Sequence, residues 1–146
     1  TPDPQIKQKP LYRNPYVCVL RKTSELVDDI LDLNTYLKLK HIHVSSRRGG
    51  LGHVDLALGK MGKKREIILR TQNYLVTPQM VATTDFAITV PQIFAEFLSK
   101  TVDVKYLELP FEIPPLEAFL YWHESTDKDQ ANIWMRDLIS STYDNS

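Results

Sequence analysis

Short strand and helix patterns alternate through the middle of this sequence, and this alternation constrains the fold more than any single motif. The strand patterns are "PYVCVLRK", "HIHVS", "REIILR", "FAITV" and "VKYLEL". Segments with helical spacing separate them, as at Ile93, Phe94, Phe97 and Leu98 in "PQIFAEFLSK". Alternation of this kind is typical of α/β units around a parallel sheet. We therefore predict an α/β fold with a mostly parallel sheet flanked by helices.

Three of the predicted helices have recognisable starts. Asp32 or Asn34 is a suitable N-cap for the helix in "DLNTYLKLK". A second helix is expected from about Gly52 to Met61, because its apolar residues recur at helical spacing. A third is expected to begin at Pro78 with Thr77 as its cap, since proline favours the first helical position.

Prolines divide the chain into segments. Three prolines in the first ten residues, without periodicity, predict a tail or crossover over residues 1–15. "PFEIPP" at 110–115 predicts a rigid, extended connector, because each proline keeps its predecessor out of the helical region. A strand at Leu116–His123 and a terminal helix in "DKDQANIWMRDLIS" follow. We expect a compact lobe over 16–109 and a separate return segment over 110–146.

Bulk properties exclude several classes of protein. The chain has 18 basic and 18 acidic residues, so it lacks the excess of cations by which proteins neutralise nucleic-acid phosphates. Cys18 is the one cysteine, lies in an apolar run, and is predicted to be a buried, unreactive thiol. No apolar run is long enough to span a bilayer, and the first residues do not resemble a signal peptide. We expect a soluble cytoplasmic protein without a membrane partner.

All five glycines fall between positions 49 and 62, around the stretch "HIHVSSRRGGLGHVD". A Walker-type phosphate loop is excluded, because Met61 stands where Ser or Thr must follow Gly59 and Lys60. A dinucleotide fingerprint is also incomplete. Asp55 replaces its third glycine, and that carboxylate would repel a pyrophosphate. We predict no nucleotide and no other cofactor.

Two histidines in this stretch raise the question of a metal. His41 and His43 would share one face of a strand, a spacing found in zinc sites, but no third ligand of clear spacing follows. Two histidines on a half-exposed strand face explain the pattern equally simply. No nucleophile elbow and no paired carboxylates are present. We therefore predict no metal and no enzyme, with a metal-dependent hydrolase as an alternative.

A small polar or anionic ligand is the third possibility for this stretch. A helix N-terminus offers unpaired backbone N–H groups, and Ser45 and Ser46 add hydroxyls. Arg47 and Arg48 are unfavourably placed for the helix dipole, which suits a role opposite an anion. A solvated loop with two surface arginines fits the same residues.

Four stretches, in their order along the chain, resemble the C-terminal part of LysR-type bacterial transcriptional regulators, nearest the nodulation regulators. "YVCVLRKTSEL" resembles the strand that enters the second regulatory lobe. "LKLKHIHVSSRRGGLGHVDLALGKMG" resembles the next strand, ligand-side loop and helix. "LVTPQMVATTDFAITVPQIFAEFL" is similar to the family's helix–strand–helix, and "LELPFEIPPLEAFLYWHESTDKDQANIWMRDLI" resembles its return strand and closing helix. The resemblance covers about residues 11–139.

This resemblance implies a periplasmic-binding-protein-like (type 2) effector domain. Residues 16–109 would form the second regulatory lobe, and residues 110–146 would return into an incomplete first lobe. A polar or anionic small molecule would bind between the lobes of a homodimer or tetramer. Promoter DNA would be contacted by a winged helix-turn-helix that this sequence lacks.

The resemblance also implies candidate effector contacts. Ser45, Ser46 and Arg47 are the first candidates, as polar contacts on the wall of the second lobe. Asn73 and Tyr74, at the end of "REIILRTQNY", are further candidates by position. The alternative to a regulator is a stand-alone solute-binding α/β module without a DNA role.

Overall fold

The computed structural model describes residues 6–44, 52–73 and 75–123, together with Ile133 and Asp137. The chain divides into two compact units, of which the first comprises residues 1–14 and 115–146 and the second residues 15–114. The strands are β1 Ile6–Asn14, β2 Tyr16–Arg21, β3 Lys40–Val44, β4 Glu66–Thr71, β5 Ile88–Pro91, β6 Val104–Glu108 and β7 Leu116–His123. The helices are α1 Leu33–Lys38, α2 His53–Lys60, α3 Thr77–Thr83 and α4 Gln92–Thr101.

The first unit contains an antiparallel pair of strands, β1 and β7. Its register runs from Ile6 opposite His123 to Asn14 opposite Leu116. The predicted strand at Leu116–His123 is confirmed as β7. In contrast, β1 occupies residues for which the sequence pattern predicted a tail or crossover. The pattern concealed β1 because Pro10, which lacks an N–H group, lies at an irregularity in the pairing. Of the predicted terminal helix, Ile133 and Asp137 are helical and the rest lies outside the described residues.

The sheet of the second unit is mixed, not mostly parallel. β2 pairs antiparallel with both β5 and β6, while β3 and β4 pair in parallel. A parallel bridge between His41 and Ala87 joins these two parts in the order β4–β3–β5–β2–β6. β2 therefore runs against the other four strands. The prediction failed at β2 because a strand buried on both faces has the same apolar pattern in either direction.

Two apolar clusters cover the two faces of this sheet, and β2 contributes to both. Val17 and Val19 pack in one cluster and Cys18 and Leu20 in the other, as expected from the alternation of side chains along a strand. Cys18 is fully buried, and burial raises the pKa of its thiol to about 12. The prediction that Cys18 is buried is confirmed, and the raised pKa of its thiol agrees with the predicted lack of reactivity.

The predicted starts of α1 and α2 agree with the structure. Asp32 is the N-cap of α1, and its Oδ1 accepts a hydrogen bond of 2.7 Å from the backbone N–H of Thr35. In α2, Val54 and Leu58 are buried, whereas Met61 lies beyond the last turn and is exposed. No helix in the described part of the chain is both long and apolar enough to cross a bilayer.

Candidate functional site

The carboxyl ends of β3 and β4 lie side by side. Their parallel register places Val44 opposite Thr71, the last residue of each strand. Ser45 directly follows Val44 in the sequence, and Asn73 follows Thr71 by two residues. The candidate contacts Ser45, Ser46, Arg47 and Tyr74 themselves lie outside the described residues. In α/β sheets, ligands bind beyond the carboxyl ends of parallel strands, so this edge is a suitable place for one.

The first residue of β2 lies at the same edge, because β2 runs against its neighbours. Tyr16 pairs with Pro91 at the end of β5, and Val17 pairs with Glu108 at the end of β6. An open cavity of about 520 Å³ lies there. It is lined by Pro15, Tyr16, Glu108, Leu109, Phe111, Glu112, Ile113 and Pro114.

Tyr16 connects this cavity to the start of α2. Its ring centroid is 6.3 Å from that of His53, the first residue of the helix. Tyr16 and Phe111 were not among the predicted ligand contacts. In the sequence, only the neighbouring prolines indicated that the chain changes direction there. The edge therefore combines a polar corner at β3, β4 and α2 with an aromatic cavity at β2 and β6.

Asn73 is used to shape the turn that leads into α3. Its Oδ1 accepts a hydrogen bond of 2.9 Å from the N–H of Leu75, and its own N–H donates to Thr71 Oγ1 at 3.0 Å. The Thr77 hydroxyl donates to the Asn73 carbonyl at 2.8 Å. The prediction that Thr77 caps α3 is wrong, because Thr77 is the first helical residue and Val76 is the N-cap.

A buried ion pair lies beneath the start of α2. Arg65, just before β4, donates from Nε to Asp55 Oδ1 at 2.9 Å and from Nη2 to Asp55 Oδ2 at 3.1 Å. The side chain of Arg65 is only 2% exposed and that of Asp55 14%. Burial raises the pKa of Asp55, but the hydrogen bonds and charge of Arg65 outweigh it and hold that pKa below its ordinary value.

Arg65 also contacts His43 in the neighbouring strand β3. Its Nη2 lies 3.2 Å from Nδ1 of the half-buried His43. Burial lowers the pKa of His43, and the adjacent Arg65 charge lowers it further. His43, Asp55 and Arg65, hereafter the Arg65 cluster, therefore connect β3, α2 and the start of β4. No sequence pattern indicated Arg65, because an arginine at a strand boundary is usually exposed.

His41 and His43 have different environments, so the expectation of two half-exposed histidines is wrong for His41. His41 is fully buried, and its Nε2 donates to the backbone carbonyl of Tyr36 at 2.8 Å. Its Nδ1 is buried and has no hydrogen-bond partner among the described residues. The His41 ring also packs against that of Tyr36, with the two ring centroids 4.6 Å apart. Among the residues that the structure describes, no three metal-binding side chains are grouped.

Gly52, the N-cap of α2, is required by the His43 ring. A Cβ atom at position 52 would lie 2.7 Å from His43 Cε1, and Arg65 holds this ring at Nδ1. We expect Gly52→Ala to destabilise the protein by about 1–3 kcal/mol in urea unfolding. Gly59→Ala is the matched control in α2, because a Cβ there meets nothing within 4 Å. It should stabilise by about 0.5–1 kcal/mol. Equal effects of the two substitutions would contradict this packing.

Comparison with known proteins assigns the chain to a family. The family model of the LysR substrate binding domain matches residues 1–143 of the sequence, so this chain belongs to the LysR substrate-binding domain family. The chain is 30% identical over 132 residues to the transcriptional activator NahR of Pseudomonas putida, covering 90% of this chain and 44% of NahR. It is also 30% identical to nodulation protein D 2 of Rhizobium tropici, covering 88% of this chain and 41% of that protein.

Solved structures show the same fold. The regulatory domain of the Pseudomonas aeruginosa activator MexT matches with a TM-score of 0.79 and 29% identity, over 94% of this chain and 68% of that one. The effector binding domain of QuiR, solved with shikimate, matches with a TM-score of 0.66 and 18% identity, over 98% of this chain and 68% of that one. The chain spans less than half the length of the curated relatives given above. The resemblance to LysR regulators and the non-enzymatic class are confirmed.

Proposed function

We propose that this chain is the effector-sensing part of a LysR-type transcription regulator and binds a small molecule at the carboxyl edge of β3 and β4. The parallel pairing of these strands carries the proposal, because it brings Val44 and Thr71 together. The candidate contacts follow these two residues in the sequence: Ser45, Ser46, Arg47, Asn73 and Tyr74. The turn contacts of Asn73 occupy its Oδ1, so its side-chain amide hydrogens would be what a ligand meets.

The chemistry of the edge favours a small acid with an apolar ring. Serine hydroxyls and the Arg47 charge suit an anionic group, and Tyr16 and Phe111 in the cavity suit an apolar body. Glu108 and Glu112 line the same cavity and would repel a second negative charge. The presence of shikimate in QuiR supports a small carboxylic acid as ligand.

The wider assignment follows from the family. Residues 16–109 would be the second regulatory lobe, and residues 110–146 the return into the first. The compact unit over residues 15–114 supports this division. The whole regulator would be a cytoplasmic homodimer or tetramer and would bind promoter DNA through a winged helix-turn-helix. Effector and DNA would each favour one of the same two arrangements of the regulator. Each would therefore change the affinity for the other by the same factor.

Replacing Arg47 tests this proposal in the full-length regulator. We expect Arg47→Ala to shift the dose response of a reporter promoter to effector by about tenfold, because one charge-assisted contact is lost. Shikimate and benzoate begin the panel of acids. Lys63→Ala removes an equal charge from an exposed position and serves as the control. An unchanged dose response of Arg47→Ala would remove Arg47 from the site.

A further inference from the structure

Asp55 poses a problem for an anion at the start of α2. It lies in the first turn of the helix, close to where the proposed ligand would meet the backbone N–H groups. A free carboxylate in this position would repel an anionic ligand. Arg65 removes this repulsion, because its two hydrogen bonds of 2.9 and 3.1 Å engage both carboxylate oxygens.

The same arginine determines which nitrogen of His43 carries a hydrogen. A guanidinium group can only donate, so His43 Nδ1, 3.2 Å from Arg65 Nη2, must accept. The hydrogen of the neutral ring is therefore on Nε2. The close approach of His43 Cε1 to Gly52 places this ring against the N-cap of α2. The N–H group of His43 is therefore on Nε2, in a ring that lies against the N-cap of α2.

We propose that Arg65 is the positioning residue of the ligand edge, pairing with Asp55 and orienting His43 as a donor so that the start of α2 accepts an anion. This proposal rests on the proposed function above and adds to it the means by which the edge selects negative charge. Arg65 itself does not contact the ligand. It acts through its two partners, and its own side chain remains buried.

Charge-changing variants of the full-length protein separate this role from a merely structural one. Benzoate affinity, measured by calorimetry, should weaken about tenfold in Arg65→Met, because Asp55 is left unpaired. In Asp55→Asn the affinity should stay equal or become tighter, because a negative charge is lost. The double variant should return to within about threefold of wild type. A structural role alone would weaken binding in both single variants, and that result would overturn the proposal.

The double variant also keeps the test valid if Arg65→Met does not fold, because it leaves no charge unpaired. Benzoate binding by the double variant more than tenfold weaker than by wild type would then contradict the proposal.

Nitrogen-15 NMR of the His43 ring provides a readout that needs no ligand. Wild type should show a protonated Nε2 and an unprotonated Nδ1, and the double variant should lose this preference. A hydrogen on Nδ1 in wild type would overturn the proposal whatever binds. If the ring is as stated but neither benzoate nor shikimate binds wild type, the proposed function fails at this edge and the anion-selecting role of Arg65 fails with it. Only the inference about the His43 tautomer would then stand.

Discussion

Arg65→Met is expected to lower the free energy of unfolding by about 3–5 kcal/mol, the usual cost of removing one partner of a buried ion pair. The substitution leaves the Asp55 carboxylate, 14% exposed, without its two hydrogen-bond donors. His43 Nδ1 loses a donor as well. Urea unfolding of the wild type and variant, followed by circular dichroism, measures the difference.

Two controls show whether the pairing is the cause. Lys64→Met removes one positive charge from the exposed position next to Arg65 and should change stability by no more than about 0.5 kcal/mol. Combining Arg65→Met with Asp55→Asn should recover most of the loss, because neither charge is then buried alone. A loss in Arg65→Met no larger than that of Lys64→Met would show that the Arg65 cluster does not stabilise this fold.

His41 is expected to make the protein sensitive to mild acid. Burial lowers the pKa of this side chain from 6.5 to about 4, outweighing the hydrogen bond to the Tyr36 carbonyl, which raises it. The unfolded chain therefore takes up a proton at a higher pH than the folded one. The free energy of unfolding should therefore keep the full contribution of neutral His41 at pH values above 6.5. It should fall by about 3 kcal/mol as the pH is lowered to 4.

Replacement of the titrating ring isolates this effect. His41→Gln keeps a side-chain N–H donor but does not titrate, so the slope of stability against pH between 7 and 4 should become much flatter. His43→Gln is the companion variant. It should flatten the slope less, because His43 is half-buried, although burial shifts its pKa in the same direction. If the slope of His41→Gln equals that of wild type, His41 is not the source of the acid sensitivity.

The order of elements was predictable from the sequence, but their directions were not. The strands β2 to β7 and the four helices correspond to segments that apolar runs, apolar spacing and helix-start residues indicated in the sequence. Direction is a property of pairing, and the buried run of β2 contains no information about its partners. β1 was hidden because Pro10 interrupts its pattern and because its partner β7 lies more than 100 residues further along the chain.

The candidate site was predictable only in part, for a similar reason. Glycines and a helix start indicated the corner at Gly52, because these are local signals. Arg65 contacts Asp55 and His43 across 10 and 22 positions of the sequence, and no local pattern predicts such contacts. The burial of His41 depends on its packing against Tyr36 and on its bridge to Ala87, and the apolar pattern predicts neither contact.

An NMR titration of the full-length regulator tests most directly the claim that a small acid binds at the edge of β3, β4 and α2. Benzoate and shikimate are added in turn, and the backbone amide signals are followed to saturation. We predict that the largest shifts occur at Gly52–Asp55 and Thr71–Asn73, which belong to the edge of β3, β4 and α2. Saturable shifts confined to a distant element such as α4, Gln92–Thr101, or the absence of saturable shifts with either acid, would contradict it.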